Sequence, residues 1–196
     1  MTYIHLRNPL ITVGGPRAVD VLPQALTLAV VLELAPIVAG LIVAGRSGAS
    51  LGAELGSMRQ TEQIDALEML GLSPMRELVA PRVVASTFSL PMLTIFIAYS
   101  AIMAGYFAEL LSGSMTWLQY QSECLRLLKM RDVIPAFLKT MVFGFLIGVT
   151  GCFCGMHAQG GTEGVGRAAT RGVVLSIFLV LVSDVILFLW VQALLS

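Results

Sequence analysis

From Val83 to Phe107 the sequence contains no charged side chain. As a helix, this stretch would measure about 37 Å at 1.5 Å per residue, enough to cross about 30 Å of hydrocarbon. Three further hydrophobic stretches each contain a single charged residue. Together the four stretches predict spanning helices at residues 21–45, 83–107, 133–156 and 172–195. The expected fold is therefore all-α, a polytopic transmembrane helix bundle in which residues 1–196 form a single membrane domain.

The composition supports a membrane protein and argues against several other classes. Hydrophobic residues make up 57% of the chain and charged residues 12%. The mean hydropathy is +0.86, well outside the range of an ordinary soluble domain. A net charge of zero provides no basic surface for nucleic acid. The three cysteines do not suggest a disulfide framework.

Three charged residues fall inside the predicted spans: Glu33, Lys139 and Asp184. An ionisable group at this depth costs about 2.5–3.5 kcal/mol on insertion scales, so it normally faces a partner or a water-filled cavity. One interpretation is that these residues line or gate a polar route for a substrate headgroup. The other is that they form a buried ion-pair cluster that fixes helix packing, or that Lys139 extends to the nearby interface.

The loop between the first two spans is the only long segment rich in charge. Residues 61–70 combine acidic and apolar side chains at helical spacing, which predicts a short amphipathic helix. Thr61 is a candidate N-cap and Gly71 a natural stop. Ser73 and Pro74 then resemble the start of the next helix. A polar helix between two spans is well placed to contact a protein outside the bilayer.

Small residues recur at every fourth position before this segment. They are Gly40, Ala44, Gly48, Gly52 and Gly56. On a helix these positions lie on nearly one face, where another backbone can approach closely. The expected role is packing within the chain, with a dimer seam as the alternative.

No motif indicates catalysis, a metal or a cofactor. The glycine-rich run at residues 161–166 lacks the Gly-Lys-Ser/Thr of a nucleotide-binding loop, so we interpret residues 160–171 as a polar turn. Cys152 and Cys154 have the wrong spacing for a zinc knuckle. The two histidines have no paired nucleophile or acid. We therefore expect no enzymatic activity and no cofactor.

Several short motifs resemble the MlaE-type permeases, the membrane subunits of ABC transporters that work with MCE proteins. The motifs are Glu33-Leu34-Ala35-Pro36, Ala44-Gly45-Arg46-Ser47-Gly48, Ala53-Glu54-Leu55-Gly56-Ser57-Met58-Arg59, Thr61-Glu62-Gln63-Ile64-Asp65-Ala66-Leu67, Leu78-Val79-Ala80-Pro81-Arg82, Lys139 with Val142-Phe143-Gly144, Gly160-Gly161-Thr162-Glu163-Gly164-Val165-Gly166-Arg167, and the single residues Gly71, Pro74 and Asp184. The resemblance covers nearly all of the sequence from about Gly14 onward and is specific, because the motifs agree in order and spacing.

This resemblance implies a homodimeric permease in the cytoplasmic (inner) membrane that moves phospholipid or a similar hydrophobic substrate. A cytoplasmic ABC ATPase would drive it, and an MCE-domain lipid-binding protein would sit on the outer face. Basic residues divide equally between the two sides of the predicted spans, so the positive-inside rule gives no orientation. The resemblance implies that the loop 46–82 is cytoplasmic and the segment 108–135 periplasmic.

The same resemblance assigns roles to individual residues. It implies that the coupling helix docked into the ATPase lies within residues 54–70, and that the three intramembrane charges lie near the lipid route. The expected coupling residues are Glu54, Arg59, Glu62, Gln63, Asp65, Leu67 and Glu68. The substrate-path candidates are Glu33, Lys139 and Asp184.

The sequence departs from the family pattern at its start and beside Glu33. Family members carry an interfacial helix and one more span ahead of the Glu33 helix. We expect both to be missing here, either because the true start lies upstream or because the protein is a shortened paralogue. Leu32 stands where relatives often have arginine, which removes a possible partner for Glu33. Two other functions therefore stay open: a degenerate, non-transporting membrane scaffold, and an ABC permease for a small polar solute.

Overall fold

A computed structural model describes residues 16–112, 116–126, 128 and 130–195. These residues are helical apart from short turns and contain no β-strand. Four helices are long and apolar enough to cross a membrane: Pro23–Gln60, Met75–Leu111, Met130–Met156 and Gly161–Ala193. The structure thus confirms the all-α fold with about four spans.

We number the helices of the described chain α1 to α6. Helix α1 comprises Pro16–Ala29, Ala35–Val43 and Ala49–Gln60, joined by the π-helical turns Val30–Leu34 and Ala44–Gly48; α2 is Gln63–Met69; α3 is the π-helical turn Met75–Val79 with Ala80–Ser112; α4 is Trp117–Arg126; α5 is Met130–Met156; and α6 is Gly161–Leu195.

The π-helical turns of α1 have an identifiable origin and use. The turn Val30–Leu34 ends two residues before Pro36, whose missing N–H removes a helical hydrogen bond. A four-residue spacing advances about 400° on an α-helix, so residues at that spacing drift by about 40° at each step. The π-helical turn Ala44–Gly48 has more residues per turn, so each residue rotates less and part of this drift is offset. It thereby helps to keep the small residues from Gly40 to Gly56 on one face.

The chain divides into two compact units. The first unit contains the chain up to Pro36 together with Ile95–Ala136, and the second contains Ile37–Thr94 together with the chain from Phe137 onwards. In the second unit, α1 packs against α5 and α6 through its small residues. Helix α3 approaches α5 at Gly144, next to the backbone of Ser86, and the Ser86 hydroxyl donates to the Gly144 carbonyl over 2.9 Å.

In the first unit, α4 packs its buried Tyr120 and Cys124 inward. The Tyr120 hydroxyl donates to the carbonyl of Ile102 over 3.1 Å. Burial raises the pKa of this phenol, and the neighbouring Cys124 and Glu109 raise it further, so the group stays protonated as a donor. The rings of Tyr106 and Trp117 meet edge to face with centroids 4.6 Å apart. Aromatic packing and a phenol hydrogen bond therefore position α4.

The long helices expose large apolar side chains. On α3, Phe88, Met92 and Phe96 recur at every fourth position, and each is at least 60% exposed. Soluble monomers rarely expose continuous apolar surface of this kind. Contact with lipid accounts for it.

The structure corrects two local predictions. The hydroxyl of Thr61 donates back to the Ser57 carbonyl at the end of α1, and the N-cap of α2 is Glu62, in left-handed conformation with no side-chain cap bond. The predicted Thr61 cap is therefore wrong, because Thr61 bonds to the preceding helix. Residues 161–171 are the first turns of α6. The predicted polar turn is consequently confined to the residues before Gly161.

Candidate functional site

Two of the three intramembrane charges form an ion pair. Lys139 Nζ on α5 lies 2.6 Å from Asp184 Oδ1 on α6, and the side chains are only 5% and 12% exposed. Lys139 also lies 6.0 Å from the centroid of the Phe143 ring. Lys139 therefore points into the bundle toward a carboxylate and does not extend to the interface.

Close packing one helical turn away fixes the register of this pair. Phe143 follows Lys139 by four residues on α5, and Val180 precedes Asp184 by four on α6; both are fully buried. They meet α1 at Gly40, where an added β-carbon would lie 2.9 Å from Val180 Cγ1 and 3.4 Å from Phe143 Cδ2. Three helices thus converge beside the ion pair, and only a small residue fits on α1.

Glu33 is the third intramembrane charge. It belongs to the first unit, where it is half-buried in the π-helical turn Val30–Leu34 of α1. Turns of this type occur frequently at functional sites. Glu33 remains a candidate on this local geometry.

The small residues of α1 lie against α6 and the turn before it. An added β-carbon would meet the Gly172 carbonyl oxygen at 3.3 Å from Gly48, and the Ala168 carbonyl oxygen at 2.9 Å from Gly52. At Gly56 it would meet Ala158 Cβ at 3.2 Å, and Ala44 is fully buried. We call this contact the α1–α6 seam.

The acidic segment at residues 54–70 lies at the end of the seam and is largely exposed. Glu54, Arg59, Glu62, Gln63, Asp65 and Glu68 are exposed, Leu67 is half-buried and Ile64 is buried. Two ion pairs brace the segment: Arg59 Nη1 with Asp65 Oδ1 at 2.5 Å, and Arg82 Nη2 with Glu54 Oε1 at 2.6 Å. The segment combines a fixed position with an accessible acidic surface.

Helix α2 ends as the sequence predicts, at Gly71. This residue has φ +76°, and its N–H donates to the carbonyl of Glu68 over 3.0 Å, while the Leu72 N–H donates to that of Leu67 over 3.1 Å. These two bonds define a Schellman cap, in which a left-handed glycine terminates the helix. The cap turns the chain sharply at the tip of the segment.

Sequence reasoning missed two features. At the tip of α2, Met69 is 86% and Leu70 75% exposed, so an apolar patch accompanies the acidic residues. The sequence signal for their exposure was their position directly before Gly71, the predicted end of the helix. In the first unit, Glu109 is fully buried on α3. Glu109 lies near Tyr120 of α4 and raises the pKa of its phenol, a proximity between distant residues that no local pattern reveals.

Within the described ranges, no group of three or more His, Cys, Asp or Glu side chains is arranged to hold a metal ion. The three cysteines are buried and free. Small apolar packing is the role that their environment supports.

Comparison with known proteins gives a consistent result. A family model described as Permease MlaE matches residues 9–190. A probable ABC transporter permease protein of Rickettsia typhi is 40% identical over 157 residues, which are 80% of this chain and 61% of the relative. A probable ABC transporter permease protein of Synechocystis is 34% identical over 173 residues, 88% of this chain and 62% of the relative.

A plant relative adds a further name. The chloroplast protein TRIGALACTOSYLDIACYLGLYCEROL 1 of Arabidopsis thaliana is 37% identical over 165 residues, 83% of this chain and 46% of that protein. The chain thus spans about three fifths of the length of the bacterial relatives described above and less than half of the plant protein.

Proposed function

Because this chain belongs to the MlaE permease family, we propose that it is the permease subunit of an ABC transporter that moves phospholipid or a similar hydrophobic substrate. A separate ATPase subunit would drive the movement, and the chain itself would catalyse no reaction. Relatives named as ABC transporter permeases support the transport role. The lipid substrate draws support from the plant relative, which is named after a galactosylated diacylglycerol.

The observation that carries the proposal is the exposed acidic segment at the end of the α1–α6 seam. A permease without a nucleotide site must receive work through contact with another protein. Residues 54–70 offer a short helix with exposed carboxylates at Glu62, Asp65 and Glu68 and an apolar tip at Met69 and Leu70. An apolar centre with a charged surround is typical of protein interfaces.

The α1–α6 seam connects this segment to helix α6 through close backbone contacts. At Gly48 and at Gly52 the nearest atom of α6 is a backbone carbonyl oxygen, so α1 and α6 cannot approach further or slide freely. Closely packed helices of this kind shift between discrete arrangements and do not deform continuously. A displacement of α2 would therefore move α6, the helix that carries Asp184.

The Lys139–Asp184 pair is the element that such a shift would act on. The pair is stable only while both charges remain together, because a buried charge without a partner is costly. We propose that a change in the register of α6 loosens the pair and lets a polar headgroup approach Lys139. Glu33 stays the third substrate-path candidate.

The remaining partners and the location belong to the same proposal. We propose a homodimer in the inner membrane, with the 54–70 segment toward the cytoplasm and an MCE-domain lipid-binding protein on the opposite face. These assignments rest on membership of the family and on the four apolar helices.

Charge reversal in the acidic segment tests the proposal. We expect the Glu62→Lys/Asp65→Lys variant to lose co-purification of the ABC ATPase, because two contacts become repulsive. The matched control is Glu77→Lys/Glu163→Lys, which changes the charge equally at two exposed carboxylates outside the segment. Mass spectrometry of the proteins that co-purify in mild detergent provides the readout. Retention of the ATPase by the first variant, or its loss from the control, would contradict the assignment.

Glu33→Ala separates assembly from transport. We expect this variant to keep the ATPase bound and to slow nucleotide-stimulated lipid movement in reconstituted vesicles. Transport at the wild-type rate would reduce Glu33 to a packing residue. An assembly that moves no lipid with the wild-type chain would favour the non-transporting scaffold.

A further inference from the structure

A cavity of about 330 Å³ lies between the end of α5 and the first turns of α6. Its walls combine basic and apolar side chains, chiefly Phe153, Cys154, His157, Arg167, Arg171 and Leu175. All of them belong to the second unit. Neither Lys139 nor Asp184 lines the cavity, and none of the carboxylates of the acidic segment does.

The charged side chains that line the cavity are both basic. Arg167 and Arg171 lie one helical turn apart on α6, so their guanidinium groups share one face. No carboxylate lines the cavity. Glu163 pairs with Arg167 at 3.2 Å, but both side chains are more than half exposed, and such surface pairs contribute little. Among the described residues, no salt bridge engages Arg171. The cavity therefore favours an anion.

The cavity is also held in shape. Gln60, the last residue of α1, donates through Nε2 to the carbonyl of Ala158 over 3.1 Å. Its Oε1 accepts from the N–H of Gly161 at the same distance. His157 is fixed in turn, because its Nδ1 bonds the Phe153 carbonyl over 2.9 Å and its ring lies 4.4 Å from that of Phe153. The turn that forms the floor is thus braced on both sides.

The position of the cavity identifies the source of the anion. Phe153 and Leu175 on its walls are exposed, and exposed apolar residues continue from them along both helices, with Val149 and Phe145 on α5 and Phe178 on α6. The two arginines therefore lie where the polar end of the helices meets the lipid-facing surface. Basic pockets between helices at this depth bind the headgroups of anionic lipids. Arginine matches phosphate through paired, parallel hydrogen bonds.

We infer that this cavity binds the phosphate of an anionic phospholipid of the surrounding bilayer, with Arg167 and Arg171 on the phosphate and the acyl chains along Phe153 and Leu175. A zwitterionic headgroup fits less well because no carboxylate lines the cavity to pair with its ammonium group. The site requires only that the helices span a membrane. It does not depend on the proposed transport role.

Lipid binding to the purified full-length chain tests this inference. We expect fluorescent phosphatidylglycerol to bind the wild type in mild detergent micelles more tightly than fluorescent phosphatidylcholine. The Arg167→Gln/Arg171→Gln variant should bind phosphatidylglycerol about 30-fold more weakly, since each basic residue near a lipid surface contributes about 1 kcal/mol. Arg171→Lys, which keeps the charge and loses the planar fork, should fall between the two.

The control removes two exposed arginines elsewhere. Arg126→Gln/Arg131→Gln lowers the net charge equally, and Arg131 lies at the opposite end of α5. This variant should bind phosphatidylglycerol within about threefold of the wild type. Equal binding by the Arg167/Arg171 variant, or an equal loss in the control, would overturn the inference.

A competition experiment distinguishes a lipid from free phosphate. Sodium phosphate should displace phosphatidylglycerol no better than sodium chloride at equal ionic strength, because it lacks the acyl chains. Specific displacement by phosphate would show a site for the free anion and overturn the lipid assignment. All of these measurements use the chain without its ATPase, so failure here is distinct from failure of the transport proposal.

Discussion

Two of the ion pairs among the described residues have nearly equal lengths but opposite surroundings. Lys139 and Asp184 are 2.6 Å apart and buried, whereas Arg59 and Asp65 are 2.5 Å apart with side chains 41% and 51% exposed. Removing one partner of a buried pair costs about 3–5 kcal/mol, whereas an exposed pair contributes about 0–1 kcal/mol. The distance between the charged atoms therefore does not by itself determine how much an ion pair contributes to stability. The buried pair constrains the helices, and the exposed pair leaves its charges available to a partner.

The largest effect should come from breaking the buried pair. Lys139→Met leaves the Asp184 carboxylate without its cation inside the bundle, and we expect a loss of about 3–5 kcal/mol in the free energy of unfolding. Thermal unfolding in detergent measures this loss. The double variant Lys139→Met/Asp184→Leu removes both charges and should recover most of the stability. Equal stability of the single variant and the wild type would show that the pair does not constrain the fold.

The second-largest effect on stability is expected in the α1–α6 seam. Gly52→Val inserts a branched side chain where a β-carbon already lies 2.9 Å from the Ala168 carbonyl oxygen, and backbone atoms cannot move aside as a flexible side chain can. We expect a destabilisation of about 1–3 kcal/mol, measured by the same unfolding experiment. Gly45→Ala is the matched control on α1, since nothing lies within 4 Å of its added carbon. The control should be neutral or stabilised by up to about 1 kcal/mol.

A smaller effect is expected at the end of α2. Gly71→Ala faces open space, but its φ of +76° is unfavourable for a side chain. We expect a local cost of about 1 kcal/mol, seen as faster amide hydrogen exchange in residues 63–70. Unchanged exchange would mean that the Schellman cap does not hold the helix end.

The smallest effect should follow loss of the exposed pair. Arg59→Ala removes the bond to Asp65, and we expect the free energy of unfolding to change by less than about 1 kcal/mol. A loss as large as that of Lys139→Met would contradict the contrast between the two pairs. The difference in unfolding temperature between the two variants measures the contrast directly.

Much of the fold follows from local patterns. The charge-free stretch at residues 83–107 predicts a spanning helix because only intrahelical hydrogen bonds satisfy a backbone in lipid. The four-residue repeat of small residues on α1 predicts a close helix contact, since a missing side chain allows backbones to approach. The glycine stop at Gly71 likewise depends on local conformation. Each of these features is decided within a few residues of the chain.

The remaining features depend on contacts between distant residues. Lys139 and Asp184 pair because α5 and α6 pack in one register, and the sequence shows only that both lie inside spans. Residues 161–171 contain three glycines, which weaken helices, yet they are helical and pack against α1 at Gly52 and Gly56. Tertiary packing overrides local propensity at such positions.

The most direct test of the account is nucleotide-dependent lipid movement by the assembled transporter in vesicles. With the wild-type chain, ATP should accelerate transfer of a fluorescent phospholipid. The Glu62→Lys/Asp65→Lys variant should keep the wild-type unfolding temperature and lose the acceleration, because its exposed segment no longer receives the ATPase. ATP-driven transfer by that variant at the wild-type rate would contradict the account.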